Sequence, residues 1–310
     1  MKQFWLIVYS CLLLSTVWPF NPCAEGEDSL FLMFWNLENY FDWRQSNHPQ
    51  KTWSRNKFRT KSRIISKAIF WMADKEGKVP DLIGVAEIEN RFVLERLLRD
   101  TPLDKAGYGI IHYDSSDPRG IDVALFYRKQ RLRLIGSKPI CAGEGTRDIL
   151  LAEFLRPEGD SLAILVNHHP SKYGGSPSSQ RRAFAIDRLR EVTDSIISRG
   201  YRQVVAMGDF NDTPESTAEY SKTMVNLAMP LASKGLGTIK YSGKWEMIDM
   251  FFISPLIAAG NPEARMEVVH IPFLMTRDGA HSGEKPLRTY TGPRYSGGVS
   301  DHCPITLVIQ

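Results

Sequence analysis

Eight residues in this chain could carry chemistry by type: Asn36, Glu87, His168, Asp209, Asn211, Asp249, Asp301 and His302. They sit in short motifs in chain order, "FWNLEN", "GVAEIEN", "NHHPS", "GDFND", "MIDMFF" and "SDHCP". Each motif ends, interrupts or precedes an apolar run. Taken singly, each has an ordinary reading. An Asn or Asp after an apolar strand is usually a turn former, and an Asp-His pair is usually surface polarity. Their joint occurrence at the ends of separate buried-looking strands points to a site built on a rigid sheet. Carboxylate and amide oxygens suit a hard cation such as Mg²⁺, or Mn²⁺ in its place. Histidines paired with carboxylates suit proton relay or donation to a phosphate oxygen. Together these groups suit hydrolysis of a phosphate ester, where water must be activated and developing negative charge offset.

The elements that must position these residues are legible as hydrophobic runs. Strands are expected at Leu30–Leu37, Leu82–Ile88, Tyr108–Tyr113, Ile121–Tyr127, Leu132–Ser137, Ile149–Leu155, Leu162–Val166, Val204–Met207, Ile248–Ile253 and Pro304–Ile309. Helices are expected at Asn56–Ala73, at Arg91–Arg99, and from a cap at Ser178 or Ser179 to Arg199, with Gly200 past its end. Strands interleaved with helices favour an α/β or α+β sandwich over an all-β fold. On an extended strand end, Asp209 and Asn211 would point the same way. Pro214 would start a helix. The region after Asp212 reads as loose up to Ser242, and Thr276–Ser300, rich in Gly, Ser, Arg and Tyr, as a long functional loop.

The 310 residues, 43% of them hydrophobic, are ample for a buried core, and no composition break marks a boundary within 25–310. Residues 1–24 read as a secretion signal: Lys2 is followed by the uncharged, apolar run Phe4–Phe20, too short for a membrane span. Export to a periplasmic or extracellular space is the expectation, with Cys23 as a minor candidate for lipid attachment. Beyond the signal only Cys141 and Cys303 remain, so disulfides do not build this fold. They either pair or stay as buried thiols. The formal net charge of +4 says little about partners. Six basic residues cluster between Gln50 and Arg63: Lys51, Arg55, Lys57, Arg59, Lys61 and Arg63. They form either a solvated helix face or a surface for an anionic substrate.

The motif set resembles the endonuclease/exonuclease/phosphatase superfamily, which includes DNase I-like nucleases, abasic-site endonucleases, sphingomyelinases and inositol polyphosphate phosphatases. The motifs span Asn36 to His302, nearly the whole mature chain. The resemblance implies a four-layer α/β sandwich, two packed mixed β-sheets flanked by helices, acting as an exported monomer. It implies Glu87 as the main Mg²⁺ ligand, supported by Asn36 and Asp301. Asp209 becomes the carboxylate that positions or activates water, and Asn211 binds the scissile phosphate. His302 is the principal catalytic histidine, paired with Asp249, and His168 is the second, while His169 is structural. Asp122, in "RGIDVALFYR", is expected to hold His168, with Ile121 as the other residue for that place. Asn167, Arg119, Arg182, Lys57 and Lys61 are candidates for binding substrate phosphates. The leading expectation is a phosphodiesterase acting as a nuclease. The alternatives are a phosphatase or lipid phosphodiesterase acting on inositol phosphates or sphingomyelin, and a non-catalytic binding module. The intact motif set argues against the last.

Overall fold

The computed structural model describes residues 29–44, 52–172 and 175–310. The expected signal, Cys23 and Lys51 lie outside the described residues. Strand β1 (Leu30–Tyr40) leads through helix α1 (Arg55–Glu76) into β2 (Leu82–Ile88) and helix α2 (Arg91–Arg99). Strands β3 (Tyr108–His112), β4 (Asp122–Arg128), β5 (Arg133–Ile140), β6 (Ile149–Leu155) and β7 (Ser161–His168) follow. Helix α3 (Gly175–Ser198) then returns the chain to β8 (Gln203–Asp209).

Two six-stranded sheets result. The first runs Met266–Val268, Ile305–Ile309, β1, β2, β4, β3, and the second runs β5, β6, β7, β8, Asp249–Ile253, Val225–Asn226. Each is mostly antiparallel with one parallel pair, β1 with β2 and β7 with β8, and each pair is joined by a long helix. A parallel connection needs such a crossover.

Alternation along β1 explains the layering. Leu30, Leu32 and Phe34 face the second sheet, where they join Leu165, Ala206 and Met207 in one core. Phe31, Met33 and Trp35 face outward, where Phe58, Ile65 and Ile69 of α1 and Leu94 of α2 cover them. On the far side of the second sheet, α3 buries Ala185, Leu189, Val192 and Ile196. Strands covered on both faces read as continuous apolar runs, which is why they were legible. The outcome is the expected four-layer α/β sandwich.

Local chemistry sets the helix ends. The Ser54 side chain accepts from Lys57 N to start α1, and Gly77 ends it at φ 72°. Asn90 caps α2 by accepting from Val93 N. Helix α3 begins three residues before the expected Ser178, whose hydroxyl instead donates to Ser171 O and ties the helix to the preceding loop. The long Thr276–Ser300 stretch folds into two small hairpins, Met275–Arg277 with Glu284–Pro286 and Tyr290–Thr291 with Arg294–Tyr295. Cys141 and Cys303 do not pair: Cys303 is buried, but Cys141 is exposed after the edge strand β5. Among the described residues no helix is long and apolar enough to cross a membrane.

Gly84 sets the approach of the sheets near the site. A Cβ there would lie 2.9 Å from Met207 Sδ and 3.1 Å from Phe34 Cδ2. Gly84→Val should therefore overpack the interface and destabilise the chain by about 1–3 kcal/mol, seen as a lower urea midpoint. An unchanged midpoint would contradict this packing.

Candidate active site

The C-terminal ends of the two parallel pairs meet, and β1 and β2 are bent there to aim side chains. Between Asn36 and Tyr40 the register of β1 on β2 shifts, and Glu38 and Asn39 take φ of 45° and 54°. Between Ala86 and Ile88 the register of β2 on β4 shifts as well, leaving Glu87 as the extra residue at φ 57°. Non-glycine residues rarely adopt this region, and bulges that re-aim side chains gather at functional sites.

The bends converge on Asp209, the last residue of β8, which is buried. Its Oδ2 accepts from Asn36 Nδ2 at 3.0 Å, and its Oδ1 accepts from Asn211 N at 2.9 Å. His168 Nε2 lies 3.5 Å away and His302 Nε2 3.8 Å away. Asn211 is not an alternating strand residue. It sits past the strand at φ 50°, closing a turn on Asp209, and its side chain donates to His169 O at 3.0 Å. The turn reading of "GDFND" therefore holds together with the site reading, and Pro214 starts a short 3₁₀ helix, Pro214–Thr217.

The two histidines are held in opposite charge states. Burial alone would depress His302, but the Asp249 and Asp209 carboxylates outweigh it and raise the imidazole well above its usual value. Asp249 Oδ2 lies 2.8 Å from His302 Nδ1, the expected pair. The backbone is fixed too: Trp35 Nε1 donates to His302 O at 2.9 Å, and His302 N donates to Ser300 Oγ, which itself donates to Asn36 O. His168 is pushed well down by burial, helped by Arg147, Arg119 and His302. Burial raises the Asp209 carboxyl to about 7 against the pull of His302.

Asp122 does not hold His168. Its carboxylate accepts from Ser115 N at 2.9 Å and from the Ser115 hydroxyl, and faces His112 Nε2 at 3.3 Å. The other residue proposed for that place, Ile121, is apolar and buried. His168 Nδ1 is buried with no hydrogen-bond partner. Arg147, which the sequence did not single out, fixes this histidine from behind. It donates to His168 O at 3.1 Å and to His169 O, and pairs with Asp117 at 2.8 Å. His169 packs edge-on against Phe210, away from the site.

The phosphate-binding candidates divide. Arg119 is half exposed, 3.6 Å from Asp117, and close enough to depress His168. Arg182 is committed to Asp212 at 3.1 Å and Ser171 O at 2.9 Å, anchoring the loop before α3. Asn167 is buried inside the second sheet, donating to Leu165 O and Met207 O. Lys57 lies against Tyr290 and Tyr295 and donates to Thr52 O. Lys61 is 0% exposed, donating to Glu38 O at 2.6 Å and Thr289 Oγ1 at 2.8 Å, and burial pulls its ammonium down to about 8. The basic run is thus no continuous surface: Arg55, Arg59 and Arg63 face solvent, and Lys61 lies inside.

Glu87, Asn36 and Asp301 are the expected cation ligands. Glu87 Oε2 accepts from Asn39 N at 2.9 Å, while Oε1 has only a long 3.4 Å contact from Asn36 Nδ2. Its partners are neutral, its side chain is 15% exposed, and it offers hard oxygen atoms, so it fits a divalent ion. Asn36 Oδ1 accepts from Glu38 N. Asp301 pairs with Arg288 at 3.2 Å, and Arg288 also holds Glu38 at 2.7 Å. Glu38 and Arg288 were missed, although one lies within "FWNLEN" and the other in the hairpin segment.

Among the described residues, two groups of His and carboxylate atoms are close enough to share an ion: His112, Asp114 and Asp122, and Asp209, Asp249 and His302. In the second, His302 already occupies Asp249 Oδ2, so we read it as a proton-handling unit rather than an ion cage.

The chain belongs to the endonuclease/exonuclease/phosphatase family, whose model matches residues 31–310. Enzymes of this family hydrolyse phosphate esters and use divalent metals. No curated protein matches the chain. Among solved structures, it is similar to D. rerio TDP2 complexed with a single-strand DNA product, at 17% identity and TM-score 0.57, covering 92% of this chain and 100% of that one. A Bacteroides thetaiotaomicron mannosyl-6-phosphatase aligns at 16% identity and TM-score 0.59, over 91% and 99%. The human Nocturnin catalytic domain with bound sulfate aligns at 16% identity and TM-score 0.56, over 91% and 94%. At these identities the likeness concerns the fold.

Asp249→Asn should drop the His302 imidazole from charged to neutral at neutral pH, read from its ring nitrogens by NMR. Burial then acts with one carboxylate fewer against it. An ordinary His302 titration in the unchanged chain would contradict the assigned charge state.

Proposed function

We propose that this chain is a divalent-metal-dependent phosphodiesterase acting on nucleic acid. The observation that carries the reading is Asp209, buried between a neutral and a charged histidine, with the open carboxylate of Glu87 across Asn36. A divalent ion bound at Glu87 would offset charge on the phosphoryl oxygens. The remaining work falls to the chain. Asp209 orients the attacking water and accepts its proton. His302, charged and held by Asp249, donates toward a phosphoryl oxygen. His168 presents a neutral ring to the same group. Asn211 and Arg119 grip the phosphate from the second sheet and from the segment before β4.

Beside Asn211 lies a pocket of about 370 Å³ lined by Ser171, Lys172, Ile239, Tyr241, Glu246 and Ile248. Tyr241 is exposed at its rim, suited to stacking on a base. A second reading, a phosphatase for small phosphorylated sugars, is favoured by the withdrawal of Lys61 and Arg182 from the surface, which removes two of the side chains a long polyanion would use. Export belongs to the same proposal and rests on residues 1–24.

The test is hydrolysis of single-stranded DNA, RNA, sugar phosphates and inositol phosphates with Mg²⁺ or Mn²⁺. Turnover should be strongest on a polynucleotide and vanish with chelator. Glu87→Gln should lose about 10²-fold or more, since the ion is worth several kcal/mol. Turnover confined to monoesters would transfer the conclusion to the second reading, and full chelator resistance would overturn both.

A further inference from the structure

Three carboxylates, Glu38, Glu87 and Asp301, interact with Lys61 and Arg288, but they are not equivalent. Glu38 is nearly buried, Glu87 is 15% exposed and Asp301 is 23% exposed. Arg288 donates through Nε to Glu38 Oε1 at 2.7 Å, and its terminal nitrogen lies 2.7 Å from that oxygen and 3.2 Å from Asp301 Oδ2. Glu38 Oε2 accepts from Thr289 N at 3.3 Å. Both Glu38 oxygens therefore already face N–H donors. Beneath them, the Lys61 ammonium holds Glu38 O and Thr289 Oγ1. Two fixed cations, Arg288 and Lys61, thus stand beside Glu38 and Asp301, and of the three carboxylates only these two contact Arg288 directly. Glu87 accepts from the neutral donors Asn39 N and Asn36 Nδ2, has His168 Nε2 3.9 Å away, and meets the two cations only at longer range.

Arg288 is not on a loose segment. Its carbonyl accepts from Gly298 N at 3.2 Å, and its neighbour Leu287 bonds Leu274 O through N at 2.7 Å. A Cβ at Gly298 would fall 1.8 Å from Leu287 O, so these two segments are pressed together. Thr289 locks the same turn by donating to Val299 O.

We propose that the Arg288 guanidinium is a built-in cation that fills the space between Glu38 and Asp301, so that the chain holds a single divalent ion, at Glu87. The inference rests on the metal-dependent reading above. A second ion bridging Glu38 and Asp301 would need the lone pairs that Arg288 engages. It would also place a double positive charge beside a guanidinium and a buried ammonium. Among the described residues no guanidinium or ammonium contacts the Glu87 oxygens, and Arg288 and Lys61 act on it only at longer range.

The experiment counts Mn²⁺ bound per metal-free chain, by loss of the free-ion electron paramagnetic resonance signal, with no substrate present. The unchanged chain should bind one ion, and Glu87→Gln should lose it. Arg288→Ala should bind two, and adding Glu38→Gln to it should return the count to one. Two ions on the unchanged chain, or one on folded Arg288→Ala, would overturn the proposal. Should Arg288→Ala not fold, Arg288→Gln, which keeps a polar side chain and removes the charge, takes its place with the same expected count of two. Turnover, measured separately, distinguishes the two readings. One bound ion without hydrolysis of any ester removes the enzymatic reading and leaves the ion count standing.

Discussion

A carboxylate with almost no contact with water needs polar partners, and at Asp209 they come from both sheets, two as hydrogen-bond donors and two as nearby imidazoles. Asn36 arrives from β1, His168 from β7, the Asn211 amide from the turn after β8, and His302 from the segment before the last strand. Asn36 and His302 could not reach Asp209 if the parallel pairs ended at different heights. The close contact of Gly84 with Met207 shows how tightly the sheets approach beneath the site. The strain sits at the same place. Glu38, Asn39, Glu87 and Asn211 all adopt left-handed backbone, on the order of 1–3 kcal/mol each. A core filled from both faces of two six-stranded sheets offsets that cost.

That constraint explains the division of roles. Two histidines lie beside one carboxylate, yet one is charged and the other neutral: burial, with Arg147 behind it, keeps His168 low, while Asp249 and Asp209 outweigh burial at His302. The same logic separates the carboxylates on the other side. Glu38 and Asp301 face Arg288, while Glu87 faces neutral amides. Local charge thus leaves one carboxylate open to a cation and one pair of groups ready to move protons.

The strands were legible because runs such as Leu30–Leu37 and Val204–Met207 are apolar on both faces, and their polar ends stood out against them. Asn36, Glu87, Asp209 and His302 were found that way. Lys61 was misread because a lysine on a basic helix normally faces water. Its burial depends on Thr289, 228 residues away. Asp122 was misassigned because its partners, Ser115 and His112, come from β3 and the segment after it, and which side chain meets it there is set by tertiary pairing. Arg147 follows no strand-end pattern, since it works through carbonyls rather than through the site itself. The hairpins between Met275 and Tyr295 have strands of two or three residues, too short for any period to register.

The central claim is that Asp209 and His302 act as one unit. The most direct measurement is turnover of Asp209→Asn, His302→Ala and the double variant on one phosphodiester. Groups that act together lose their effect together, so the double variant should be hardly slower than the worse single one. Losses that multiply in full would show two independent groups and contradict the account.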